Sequence, residues 1–386
     1  MLKIDPDEKD IAMVARTKHT SRTRSLRFLG VALAALMALA ACGGGDDAST
    51  GGGGGGGGGA GGSDKEIAVS LITKDSTNPF FTAMQEGAKA AAEAEGIEIT
   101  IASGKEEGDD QGQIDAIENA ITAQQQGILI TPMSTGVNDA MTKARDAGLF
   151  VIALDTPPDP PDTVDITFAT DNRKAGNLIG EYAAAKLGGE TAVIALLDIF
   201  DDKVVSVDYN RDQGFLEGMG IEDIGDPKII GDEPKTGSYS GGDYEIVGNV
   251  ATGANEEGGR TGMEQLLSKN GDINVVYTIN EPTAAGAYAA LEAAGKTDVV
   301  VVSVDGGRAG VEAVEAGTIA ATSQQYPAKM VELGVKAIID IVKTGNKPEN
   351  SPGLDFFDTG VTLIANEPVE GVESKDVQFG LDNAWG

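Results

Sequence analysis

Short apolar runs alternate with alanine-rich stretches of helical length along most of this 386-residue chain. The runs cover residues 67–72, 97–101, 128–130, 150–154, 193–197, 275–279 and 299–304. They are short and mostly apolar, which fits buried strands, as in parallel sheets. Between them, Phe81, Met84, Ala88 and Ala91 recur at helical spacing up to Gly96, and Ile114, Ile117 and Ile121 do so before Gly127. A stop at glycine is a common helix C-terminus, so these stretches are expected to end there. This alternation restricts the chain to an α/β, doubly wound architecture. Residues 221–245 break the rhythm with Gly, Asp, Pro and Ser and are expected to be loop. A strand is expected to resume near 244–250, and another near 361–364.

The pattern also repeats. Residues 127–155 read strand, polar loop, helix, glycine, strand, Asp; residues 274–305 read the same way, with Asn280-Glu281-Pro282 in the loop. Two copies of one half-domain pattern fit two similar lobes. The body of about 320 residues is too long for one small core.

The first 42 residues have another character. Arg16, Lys18, Arg22, Arg24 and Arg27 precede a 14-residue apolar run that ends Leu39-Ala40-Ala41-Cys42-Gly43. A basic start, a short apolar core and small residues at the cut site mark a secretory leader. The run is shorter than the ~20 residues that span a bilayer. Leu39-Ala40-Ala41-Cys42 resembles the lipobox of bacterial lipoproteins, which implies lipid attachment at Cys42 and an extracytoplasmic, membrane-anchored protein. Residues 43–64 form a tether with an unbroken glycine run at 51–59. Such a segment buries too little apolar surface to offset its ordering entropy, and as a flexible coil it reaches roughly 25 Å.

The chain carries a formal charge of −32. Residues 1–42 hold seven Lys/Arg and four Asp/Glu, a net +3, so the remainder is at −35. That charge repels phosphates and anionic lipid and argues against nucleic acid or a membrane surface as partner. His19 is the only histidine and Cys42 the only cysteine, and both lie in the leader segment. Beyond it, Ser-His-Asp and Cys-His catalysis, thiolate or imidazole metal sites and disulfides are excluded. Phosphate-loop, dinucleotide and calcium-loop fingerprints are absent. No cofactor or metal is expected.

Ligands of open α/β sheets sit beyond the carboxyl ends of the strands. There the sequence supplies Asn78-Pro79-Phe80-Phe81, Asp155-Thr156-Pro157, Asn280-Glu281 and Asp305-Gly306-Gly307. Asn78 and Asn280 equally suit helix N-caps, and Asp155 and Asp305 suit either a cap or a site. As a set they match a sugar. Planar polar groups engage vicinal hydroxyls, and aromatic faces cover the apolar C–H patches of the ring. The acid pair Asp155/Asp305 also permits a glycosidase, a remote alternative.

The body of the chain resembles the ribose-type sugar-binding proteins of ABC transporters, of the type I periplasmic-binding-protein fold, and within them the fructose-binding branch. The stretches that carry this are Thr77-Asn78-Pro79-Phe80-Phe81, Ile128-Leu129-Ile130-Thr131-Pro132, Val151-Ile152-Ala153-Leu154-Asp155-Thr156-Pro157, Phe168-Ala169-Thr170-Asp171-Asn172 and Arg211-Asp212-Gln213-Gly214-Phe215. Gly253-Ala254-Asn255-Glu256, Tyr277-Thr278-Ile279-Asn280-Glu281-Pro282, Val302-Ser303-Val304-Asp305-Gly306-Gly307 and Ser323-Gln324-Gln325-Tyr326-Pro327 continue it. The resemblance implies two parallel-sheet lobes joined by a three-segment hinge. Residues 65–170 with 326–359 would form one lobe, and 171–325 with 360–386 the other. It implies sugar contacts at Asn78, Phe80, Phe81, Asp155, Arg211, Asn280, Asp305 and Gln325. Phe80 and Phe81 would sandwich the ring with a group from the other lobe.

Ribose binders carry an arginine where this chain has Thr156, an aromatic at Val304, another in the region of Ala254-Asn255-Glu256, and an asparagine at Thr131. These departures point away from ribose held in the same pose and toward fructose, and they add Thr156 and Asn255 to the candidate contacts. The implied protein is a monomeric receptor, not an enzyme, with an ABC permease as partner. Ribose, mannose or xylose, or a role serving a chemoreceptor or sensor, remain alternatives. A repressor sharing this fold would need a basic helix-turn-helix where the leader and tether stand.

Overall fold

The computed structural model describes residues 67–386. Cys42, the leader and the 43–64 tether lie outside the described residues.

The first sheet is built from the start of the chain. Strand β1 (Ala68–Thr73) leads to helix α1 (Pro79–Glu95), β2 (Glu98–Ser103), α2 (Asp110–Thr122), β3 (Gly127–Ile130), α3 (Asn138–Asp146), β4 (Phe150–Leu154) and β5 (Ile166–Ala169). The second sheet follows with α4 (Asn172–Leu187), β6 (Ala192–Asp198), α5 (Ser206–Met219), β7 (Thr236–Tyr239), β8 (Gly242–Ala251) and α6 (Glu256–Lys269). It continues through β9 (Val275–Thr278), α7 (Glu281–Ala293), β10 (Val300–Asp305), α8 (Arg308–Ala316) and β11 (Ala321–Gln324). The chain then returns to the first sheet with α9 (Pro327–Thr344) and β12 (Phe357–Asp358), and ends in the second with β13 (Thr362–Ala365) and α10 (Val377–Asn383).

The strand orders are β12-β5-β4-β3-β1-β2 and β13-β11-β10-β9-β6-β8-β7. The first sheet is parallel throughout. The second is parallel except for the β7–β8 hairpin and the β11–β13 edge. Strand periodicity divides each apolar run between two cores. Leu71, Leu129, Ile152 and Leu154 pack under α1 and α9. Their neighbours Ile72, Ile128, Ile130, Val151 and Ala153 pack on the opposite face with Met141 of α3. The second sheet likewise has α4 and α5 on one face and α6, α7 and α8 on the other.

Three segments pass between the sheets, at residues 170–171, 325–326 and 359–361, and hydrogen bonds tie them together. Asp358 Oδ1 accepts from Asp171 N at 3.3 Å and from Gly360 N at 2.9 Å, and Thr359 N donates to Ala169 O at 2.8 Å. Tyr326 Oη and Thr362 Oγ1 lie 2.9 Å apart. No helix among the described residues is long and apolar enough to cross a membrane.

Some local expectations need correction. Residues 221–245 are not all loop, because β7 lies inside them and pairs with β8 around Ser240-Gly241. Its sequence Thr-Gly-Ser-Tyr is largely exposed, so it carries no apolar run. Strands β5 and β11 are buried but include Thr167, Thr322, Ser323 and Gln324, which hid them in an apolar scan. Helix α2 ends well before Gly127, and Gln124 takes the left-handed backbone (φ +54) that a glycine was expected to supply. Helix α1 ends as expected on a left-handed Gly96.

Helices α4 and α5 cross at close backbone distance. Gly176 and Gly180 on one helix face Gly214 and Gly218 on the other. A Cβ built on Gly180 would lie 2.2 Å from Phe215 O, and one on Gly176 2.1 Å from Arg211 O. Only hydrogen fits at these positions, so the four glycines set where α5 lies and hence where Arg211 starts. Gly180→Ala should cost about 1–3 kcal/mol through overpacking, read as a lowered urea midpoint. An unchanged midpoint would show that the crossing can spread without penalty.

Candidate functional site

The carboxyl ends of the strands in both sheets converge on one small cavity of about 30 Å3. Asn78, Phe80, Phe81 and Asp155 line it from the first sheet's side. Arg211, Asn280 and Asp305 line it from the second, and Gln325 lines it from the middle crossing. All are buried except Asn78, which is half-buried.

The two asparagines serve as caps as well as lining the cavity. Asn78 Oδ1 accepts from Phe80 N at 3.0 Å, with Pro79 in the first helical position of α1. Asn280 Oδ1 accepts from Thr283 N at 3.0 Å, and its Nδ2 donates to Ala254 O at 3.0 Å. The cap reading and the site reading of these residues are therefore compatible.

The acids are held under backbone strain. Among the described residues four non-glycine residues have positive φ, and three of them line the cavity: Asp155 (+64°), Ala254 (+56°) and Asp305 (+142°). Such conformations cost of order 1–3 kcal/mol each and cluster at ligand sites. Asp155 Oδ2 accepts from Thr156 Oγ1 at 2.8 Å, whereas its Oδ1 is buried without a partner. Asp305 Oδ1 accepts from Gln325 Nε2 at 2.8 Å and lies 3.6 Å from Arg211 Nη1. Arg211 is fixed in turn by Asn172 Oδ1 at 2.7 Å and Ile279 O at 2.8 Å. Burial pushes the Asp305 carboxyl up to about 7, against the pull of Arg211 and of the Gln325 amide.

Two expected residues sit differently. Thr156 is buried and supports Asp155 rather than lining the cavity. Asn255 is exposed and caps α6, accepting from Gly258 N at 2.9 Å; its neighbour Ala254 lines the cavity instead.

Other residues enter that sequence reasoning did not single out. Lys74 and Glu107 line the cavity as a buried ion pair. Glu281 holds the Asp305-Gly306-Gly307 turn by accepting from Gly306 N (2.7 Å), Gly307 N (3.0 Å) and Thr322 Oγ1 (2.8 Å). Burial and the nearby Asp305 charge raise it to about 8. Trp385 packs edge-on against Phe80 with ring centroids 5.3 Å apart and donates from Nε1 to Gln325 O at 3.0 Å. Phe80 thus meets an aromatic from the end of the chain as well as Phe81. At the rim, Lys203 Nζ donates to Gly108 O at 2.6 Å and Lys228 Nζ to Asp159 Oδ2 at 2.6 Å. Ser206 Oγ donates to Pro157 O. These bonds bring the two sheets' loops into contact.

Below Arg211, α5 and β6 bury further acids. Asp212 is 0% exposed and neither of its carboxylate oxygens has a partner; one oxygen of Asp198 is also unpartnered. Burial, then the neighbouring acids, raise Asp198 and Asp212 well above the usual carboxylate range, and burial raises Asp208 to about 7. Each of these carboxyls holds its proton to higher pH when folded than when unfolded. Their contribution is fully present below about pH 4 and is lost as pH rises through the raised folded-state values, about 7 for Asp208. The melting temperature of the unliganded protein should fall across this window. Asp212→Asn should raise it by about 2 °C or more at pH 8 and leave it nearly unchanged at pH 5. An equal shift at both pH values would contradict a protonated Asp212.

Known proteins resemble this chain in sequence and fold. The family profile described as "Periplasmic binding protein domain" matches residues 67–347. The D-ribose/D-allose-binding protein of Pseudomonas aeruginosa is 29% identical over 310 residues, covering 77% of this chain and 88% of the relative. The ribose import binding protein of Escherichia coli is 27% identical over 289 residues, covering 75% and 88%. Among solved structures, an ABC transporter solute-binding protein from Agrobacterium vitis with bound D-fucose superposes with a TM-score of 0.68. It is 24% identical and covers 83% of this chain and 100% of its own.

Proposed function

Because the chain belongs to the periplasmic binding protein family, we propose that it is the sugar receptor of an ABC importer, holding one monosaccharide between its lobes and delivering it to a permease. The observation that carries this reading is a single buried cavity lined from both sheets by Asp155, Arg211, Asn280, Asp305 and Gln325 beside Phe80 and Phe81. A charged hydrogen bond to a hydroxyl contributes about 1.5–3 kcal/mol and a neutral one about 0.5–1.5. Several made at once reach micromolar affinity or better. The same groups explain closure, since only a ligand touched from both sides favours the closed arrangement over the open one. No reaction is involved: the receptor binds, closes and releases.

Fructose is the first candidate sugar. The named relatives bind ribose or allose, but Thr156, which holds Asp155 from behind the cavity, stands where ribose binders carry an arginine. Ribose, allose, mannose and xylose are the competitors. Calorimetry of the intact chain against these sugars tests both levels of the reading. Binding of one of them at micromolar affinity is expected, and Asp155→Ala should weaken it about tenfold or more with the melt nearly intact. Undiminished binding by this variant would remove Asp155 from the site.

The receptor works outside the cytoplasm, tied to the membrane by lipid on Cys42 and by no other membrane contact. The sequence Leu39-Ala40-Ala41-Cys42 before a glycine tether supports this. Cys42→Ser should move the protein from the membrane to the soluble fraction of cells, and retention of the variant in the membrane would refute the anchor.

A further inference from the structure

Lys74 follows β1, and Glu107 lies in the loop between β2 and α2. Lys74 Nζ donates to Glu107 Oε1 at 3.0 Å, and the two side chains are 3% and 9% exposed. Both line the cavity that also holds Asp155, with its unpartnered Oδ1. A buried ion pair is a poor way to stabilise a fold, because desolvating two charges offsets their attraction. Apolar residues of the same size would fill the position at lower cost.

The surrounding turn is built to present the pair. Asp75 Oδ1 accepts from Thr77 N (2.6 Å), Thr77 Oγ1 (2.9 Å) and Asn78 N (2.7 Å), while Thr73 Oγ1 donates to Asp75 O at 2.9 Å. This fixes the backbone on both sides of Lys74. The ammonium carries three N–H donors, and Glu107 is its one hydrogen-bond partner among the described residues.

We infer that Lys74 and Glu107 form a hydroxyl-reading subsite that sets which monosaccharide the cavity selects. A lysine donor and a carboxylate acceptor side by side satisfy both hydrogen-bonding roles of one hydroxyl, and Asp155 Oδ1 accepts from its neighbour. A sugar with the hydroxyl in the other configuration leaves the remaining ammonium donors and Asp155 Oδ1 buried without partners, which penalises it more than a lost contact alone. Burial raises the Glu107 carboxyl above its ordinary value and Lys74 opposes that rise.

This inference rests on the sugar-receptor reading and deepens it. The test is calorimetry of the intact chain and of Lys74→Met, Glu107→Gln and the double variant Lys74→Met/Glu107→Leu against D-fructose, D-ribose, D-allose, D-mannose and D-xylose. Each single variant should lose about tenfold or more in affinity for the sugar bound tightest by the parent and change the rank order. The double variant, free of unpaired buried charge, should match the parent's melting temperature while still failing to recover affinity or rank. Recovery of both by the double variant would show that the pair is only structural and overturn the inference while leaving the receptor reading intact. Failure of the parent chain to bind any of these sugars would remove the receptor reading and this subsite together.

Discussion

A polar side chain at the end of a fully buried strand must find hydrogen-bond partners, and the rest of this structure is arranged around that constraint. Parallel strands in both sheets deliver Asp155, Asp305 and Asn280 to one place. Protein groups meet part of the demand: Thr156 bonds Asp155 Oδ2, Gln325 bonds Asp305 Oδ1 with Arg211 3.6 Å from the same oxygen, and Asn280 Oδ1 caps its helix. What is left over includes an oxygen of Asp155 and one of Gln325, both buried without a partner; on the receptor reading these are open to a polyhydroxylated ligand. Leaving such groups buried and unpaired costs stability, and positive φ at both acids adds strain. This is the trade expected where binding rather than folding has set the residue.

Supporting layers convert this constraint into fixed geometry. The glycine-to-glycine crossing of α4 and α5 sets the backbone that carries Arg211. Asn172 and Ile279 then orient its guanidinium. Glu281 performs the same service for the turn after Asp305. The three crossing segments are bonded to one another, and Gln325 belongs to one of them while holding Asp305. The cavity is thereby bonded to a segment that passes between the two sheets.

Much of this was legible in the sequence, for physical reasons that also explain what was not. Buried parallel strands leave continuous apolar runs, so β1, β3, β4, β6, β9 and β10 could be found within a residue or two. Strands β5 and β11 carry Thr, Ser and Gln inside, and β7 is an exposed edge, so none of them leaves that signature. The rule that ligands meet the carboxyl ends of strands brought Asn78, Asp155, Asn280 and Asp305 forward. It also covers Glu107, in the loop past the carboxyl end of β2, but it cannot reach Trp385, which comes from far along the chain. Asn255 shows the opposite limit: a capping side chain at a strand end looks like a ligand group until its exposure is known.

The account's central claim is that carboxylates from both lobes grip one small sugar. The most direct measurement is a crystal structure of the protein grown with the sugar that binds it most tightly. The account predicts the ring beside Phe81, with Asp155 and Asp305 each within hydrogen-bond distance of a hydroxyl. A sugar seated elsewhere, with both carboxylates still facing only protein groups, would contradict it.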